Sequence, residues 1–136
     1  MKKLLEQIQN IPDIILNKPT EDKKIIICQQ ELHHNNFPML PKNICHLLQL
    51  TNGINYNGCV IFGIHTAGLD DIISENLSSY YPTSNLILGK NEFDLLTWNS
   101  NTSEYEIIDK SDGEVLISYS SEATAIKYIL KIDDIQ

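Results

Sequence analysis

"LTNGINYNGCVIFGI", residues 50–64, is the stretch on which the reading of the whole chain turns. Glycine recurs at every fifth position through Gly53, Gly58, Gly63 and Gly68, giving three overlapping G-x-x-x-x-G spacings like the start of a phosphate-binding loop. Such a loop follows a strand and opens a helix. It also carries Lys-Ser/Thr after its second glycine, so that an ammonium meets phosphate and a hydroxyl meets magnesium. Here the order is reversed. Ile44, Leu47 and Leu48 form the apolar face of a helix before Gly53, and the β-branched, aromatic "CVIFGI" forms a strand after the turn dipeptide Asn57-Gly58. The residues after the possible second glycines are Cys59-Val60, Ile64-His65 and Leu69-Asp70, which offer no cation. The glycines therefore read as a helix stop, a hairpin turn and close-packed strand positions, and no nucleotide is expected here.

Working outward, "KKLLEQIQN" is a short amphipathic helix with Leu4, Leu5 and Ile8 on one face. A second helix covers "NKPTEDKKIIICQQELHHNN", with Thr20 as its cap, acids in its first turn and His33 and His34 in its last. The third runs through "LPKNICHLLQLTNG", opened by Pro41 and stopped by Asn52-Gly53. Beyond the first strand, "LDDIISENLSSYYP" is a short helix with Ile72, Ile73 and Leu77 on its apolar face, Asp70 and Asp71 at its start and Pro82 closing it. "NLILG", "FDLLTWN", "YEIIDK" and "EVLISYS" are four strands of a meander, and "SSEATAIKYILK" is a closing helix with Ala123, Ile126, Ile129 and Leu130 inward. The expected fold is one α+β domain over residues 1–136, with a mostly antiparallel sheet of about five strands flanked by helices. No repeat or long linker interrupts it, and 42% hydrophobic residues suffice for one core without staples.

Charge excludes several functions. Residues 1–42 hold six lysines against five acids, and residues 43–136 hold four lysines against thirteen. The net charge of -8 therefore arises in the later part. There is no arginine, and no basic residue lies between Lys42 and Lys90, so neither a phosphate fork nor a nucleic-acid stripe can be built there. Direct nucleic-acid binding is not expected. The acidic excess either keeps the protein soluble or docks a basic protein. No apolar run approaches the roughly 20 residues that span a bilayer, and Glu6, Gln7, Gln9 and Asn10 break any leader-like apolar core. The expected location is the cytoplasm, with no membrane partner.

Cys28, Cys45 and Cys59 are odd in number and widely spaced, which suits reduced thiols. Cys28 with His33 and His34, or Cys45 with His46, lacks metal-ligand spacing, so no metal or cofactor is expected. "DKSDGEV" lacks the alternating acids of a calcium loop and reads as a turn at Asp112-Gly113. Cys59 or Ser74 could be a nucleophile beside His65 and Asp70, but no motif places either on a strained turn. His65 remains the histidine to watch. Trp98 and Tyr80-Tyr81 are either core residues or parts of a recognition surface.

Several features then recur in a fixed order. Leu40-Pro41 opens a helix that Asn52-Gly53 ends; Asn57-Gly58 leads to a strand with Phe62-Gly63; Gly89, Asp94 and Trp98 follow in later strands. Over about residues 20–132 this order resembles the SUKH superfamily, which includes the yeast Smi/Knr regulators of cell-wall synthesis, and within it the bacterial YrhA-like branch. Asn43, Ile44 and Leu47 stand where relatives often carry acidic and aromatic residues. The resemblance implies a sheet flanked by helices and no established catalytic residue. It also implies, for many bacterial members, immunity proteins that neutralise polymorphic toxins, often nucleases, by direct binding; others regulate or scaffold. The expectation is a non-enzymatic immunity protein whose partner is a basic toxin domain, the alternative being a regulatory or scaffold protein linked to cell-envelope synthesis. Asp70, Asp71, Glu75, Glu104 and Glu106 are its candidate contacts, with Tyr81 and Trp98 as anchors.

Overall fold

A computed structural model describes residues 1–65 and 69–132, so Gly68, the last of the evenly spaced glycines, lies outside it. The helices are α1 (Lys2–Ile8), α2 (Asp22–His34), α3 (Lys42–Leu50), α4 (Ile72–Leu77) and α5 (Glu122–Leu130). The strands are β1 (Ile15–Leu16), β2 (Ile54–Tyr56), β3 (Cys59–Ile61), β4 (Leu86–Lys90), β5 (Asp94–Asn99), β6 (Glu104–Asp109) and β7 (Val115–Tyr119). They form a single antiparallel sheet in chain order, so the α+β class holds while the strand number is seven rather than about five. The two extra strands are short. β2 turns back onto β3 across Asn57-Gly58, both at positive φ (48° and 83°) as a tight hairpin requires, and β1 then pairs with β2.

Alternation along β5 and β6 separates the two sheet faces. Leu96, Trp98, Tyr105 and Ile107 share one face, and Thr97, Asn99, Glu104 and Glu106 share the other. α5 covers the first: Tyr128 meets Tyr119 at 6.0 Å between ring centroids, and Ala125, Ile126, Ile129 and Leu130 are buried. A nine-residue helix is too short to stand alone in water, so this docking holds it. Ser121 caps it by accepting from the Thr124 amide at 3.3 Å.

Two helix ends differ from expectation. Glu21, not Thr20, occupies the cap position of α2; Thr20 is buried, with its amide donating to the Leu48 carbonyl at 2.9 Å. α3 stops before Gly53, where Thr51 goes extended (φ -154°) and its hydroxyl donates to Asn17 O and Gly53 O.

Three side-chain amides replace missing rungs of backbone pairing. Gln29 accepts from Leu40 N (2.7 Å) and donates to Leu40 O (3.0 Å). Asn52 accepts from Ile64 N (2.7 Å) and donates to Ile64 O (2.8 Å). Asn76 accepts from Ile87 N (2.8 Å) and donates to Ile87 O (2.9 Å) and Ile72 O (2.8 Å). Each satisfies both polar groups of one residue, as a neighbouring strand would. They clasp the Leu40-Pro41 entry to α3, the exit from β3 and the edge of β4. Those segments include the positions that make the sequence distinctive.

The cysteines are free thiols, Cys28 and Cys59 buried and Cys45 half-buried. Burial, with Asp71 and then Glu31 adding repulsion, pushes the Cys28 thiol up to about 12. Its thiolate is thus scarce, roughly one part in ten thousand at pH 8. In native protein an alkylating reagent at pH 8 is expected to modify Cys45 first. Cys59 should follow more slowly and Cys28 only at the rate of unfolding, read by mass spectrometry over time. Equal labelling of Cys28 and Cys45 would show that α2 is not seated as described.

Candidate functional site

α4 and the segments around it present exposed apolar side chains beside carboxylates. Helix formation here begins at Asp71, whose carboxylate accepts from Ser74 N (2.9 Å) and also from His65 N (2.7 Å), tying both ends of the 65–74 segment together. Gly63 N donates to Asp70 O and Ile72 N to Gly63 O, so α4 is anchored to the end of β3. Asn76 fastens its other end to β4. On and around α4, Leu69 is 80% exposed, Leu77 57% and Tyr80 98%. A depression of about 280 Å³ lies between Leu69 and Tyr80, lined also by Glu75, Ser78, Ser79, Tyr81 and Lys90.

The sequence-derived contacts are distributed unequally. Asp70, Glu75 and Tyr81 lie together at this surface. Asp71 does not qualify, being 5% exposed with both oxygens engaged by backbone amides. Glu75 is largely committed, to Asp70 N at 3.1 Å and to the Lys90 ammonium at 3.5 Å. Glu104 and Glu106 stand on the sheet face opposite Trp98, which tilts against Tyr105 at 4.9 Å on the α5 side. Glu106 accepts from Asn85 (2.8 Å) and Asn99 (3.3 Å). The five acids and two aromatics therefore do not make one patch. Leu69 and Leu77 were not among the expected contacts. Leu77 sits at helical spacing from Ile73 and reads as core, yet in a six-residue helix only Ile72 and Asn76 are buried.

His65 lines a separate cavity of about 210 Å³ between α2 and α4, with Lys24, Cys28, Glu31, Asp71 and Ser74. Ser74, His65 and an aspartate thus share one cavity. The aspartate is Asp71 rather than Asp70, and its oxygens serve the backbone amides already named. Cys59 lies elsewhere, in a concavity with Lys90, Lys110 and Lys131. Burial holds the Cys59 thiol above its ordinary value and weakens it as a nucleophile, with Lys131 opposing. In the same region burial and then Lys90 lower the Lys110 ammonium, and burial and then Asp109 raise the Asp94 carboxyl, against Lys131 and Lys110. No cluster of His, Cys, Asp or Glu able to hold a metal occurs among the described residues. No described helix is long and apolar enough to cross a membrane.

No family model, curated protein or solved structure matches the chain.

Proposed function

We propose that this chain is a non-enzymatic binding protein, an immunity protein of the SUKH kind that neutralises a cognate intracellular toxin by occluding it. The observation that carries the reading is the surface at α4. It combines a fully projecting tyrosine, Tyr80, two exposed leucines, Leu69 and Leu77, and the half-buried Tyr81, held on a braced mount beside Asp70. Aromatic and aliphatic anchors with a polar rim are the composition of protein interfaces, and tyrosine is among the residues that dominate their energetics. The acidic excess after residue 43 complements the basic cleft that a nuclease needs for phosphate and speeds its capture.

The test is co-purification of the tagged protein from its native host with the bound species identified, followed by kinetics on the isolated pair. Tyr80→Ala is expected to speed dissociation by roughly tenfold or more. Asp70→Asn with Glu104→Gln is expected to slow association and flatten its salt dependence. Recovery of no toxin, or a complex indifferent to both sets of changes, would overturn the reading.

A further inference from the structure

β7 closes one end of the sheet, and among the described strands its neighbour is β6. Its burial is unlike that of the other long strands. Val115, Leu116 and Ile117 are between 37% and 49% exposed, although all three are apolar and they project on both faces. Edge strands are ordinarily protected by lysine, by proline, by a bulge that twists the edge away or by extreme shortness. Residues 115–121, "VLISYSS", contain no charge and no proline, and the strand is five residues long. The opposite edge, β1, is protected by being only two residues long. A register shift beside Leu116 is the one such device in β7, and it leaves Val115 and Leu116 nearly half exposed.

Charge identifies the occupant. Residues 104–122 carry six carboxylates, at positions 104, 106, 109, 112, 114 and 122, and one lysine, Lys110. Glu106 stands directly across from Ser118, so a carboxylate borders the strand from β6. Asp109 is held below the usual carboxylate range by hydrogen bonds from the hydroxyl and amide of Ser111, and keeps its charge at the turn leading into β7. A second copy of this chain would bring two such acidic frames together across the seam, and like charges there oppose pairing. An extended segment with an apolar middle and basic ends meets attraction at the same places.

We propose that the outer edge of β7 is a strand-addition site for an extended, apolar partner segment flanked by lysine or arginine. Main-chain hydrogen bonds supply its affinity, the exposed Val115, Leu116 and Ile117 grip alternate side chains, and the carboxylate frame selects basic flanks. The site adjoins the α4 surface where Pro82, next after Tyr81, packs on Gly113, but it uses different residues and does not require the partner to be a toxin.

The probe is a short synthetic peptide of alternating valine and threonine with lysines at both ends, set against the same peptide with glutamates. The lysine peptide is expected to slow amide exchange within residues 115–119 by roughly tenfold and to lose affinity with added salt, while the glutamate peptide does neither. Ile117→Lys, at an already exposed position, should abolish the effect, with unchanged exchange in β5 confirming the fold. Tyr80→Ala should leave peptide binding intact, so failure at β7 and failure at α4 are read separately. The inference is overturned if the lysine peptide does not bind, if both peptides bind alike, or if the protein alone forms a dimer that Ile117→Lys dissolves.

Discussion

Gly63→Ala is expected to cost on the order of 4 kcal/mol or more, enough to leave much of the protein unfolded at ordinary temperature. A Cβ on Gly63 would stand 2.5 Å from Asn52 Oδ1 and 2.8 Å from Asn52 C, and closer still to the Asn52 carbonyl oxygen. Two of these three atoms are backbone and cannot swing aside, and the third belongs to the amide that clasps Ile64. The joint is tight from the other side as well, since a Cβ on Gly53 would come 2.8 Å from Ile61 O. Relief would require Asn52 to withdraw, leaving Ile64 N–H and C=O without partners at roughly 1–3 kcal/mol each. Gly58→Ala is the control. It has nothing within 4 Å and suffers only its left-handed backbone (φ 83°), at about 1 kcal/mol. Urea unfolding of the three proteins measures the difference. If the two variants lose similar stability, the joint yields and the packing account of Gly63 is wrong.

That joint explains what was legible in the sequence and what was not. Periodicity and composition located all five helices, the β4–β7 meander and β3, whose run of β-branched and aromatic residues follows a turn dipeptide. β1 and β2 have two and three residues and lean on pairing alone, so they leave no pattern. The evenly spaced glycines were legible as positions but not as one device. Asn52-Gly53 reads as a helix stop from its own neighbourhood. Only the tertiary structure shows it meeting Gly63 and Ile64 across a gap of some ten residues. Side-chain amides that substitute for strands are invisible to periodicity, since Gln29, Asn52 and Asn76 look like ordinary polar residues until their partners are known.

The site was legible to a lesser degree, and for a related reason. Acidic residues near the start of α4 were identifiable, but their roles depend on what the fold asks of them. Asp71 fits the pattern of both a helix cap and a surface contact. The fold takes it as a clamp for His65 and Ser74, whereas Asp70, one position earlier, is half-buried with its amide donating to Glu75. Alternation along β5 and β6 sends Trp98 to one face and Glu104 and Glu106 to the other, a separation that strand register alone decides. Tyr80 and Tyr81 were recognisable as aromatics, and only the position of α4 shows that Tyr80 projects.

Asn76→Leu is expected to be the second most damaging substitution, at roughly 2–5 kcal/mol, although it replaces a polar buried residue with an apolar one of similar size. The gain from a better-matched side chain is outweighed because the partners remain. Ile87 N–H and C=O lose the side-chain partner that Asn76 supplies on that side of β4, where β3 pairs with Gly89 and Lys90 and Phe62 N reaches Leu88 O, one residue short of Ile87. The loss should be local first. α4 is fixed to β4 through this side chain and through packing, so the Ile87 amide should exchange with solvent much faster while β5 and β6 amides keep their protection. Binding should suffer beyond what stability predicts, because Leu77, Tyr80 and Tyr81 are presented by the segment that Asn76 holds. A partner measured on the fraction that remains folded should dissociate faster from Asn76→Leu than from Gly58→Ala. Equal dissociation rates would mean that α4 is not the mount of the contact, and the partner surface would have to be sought elsewhere on the molecule.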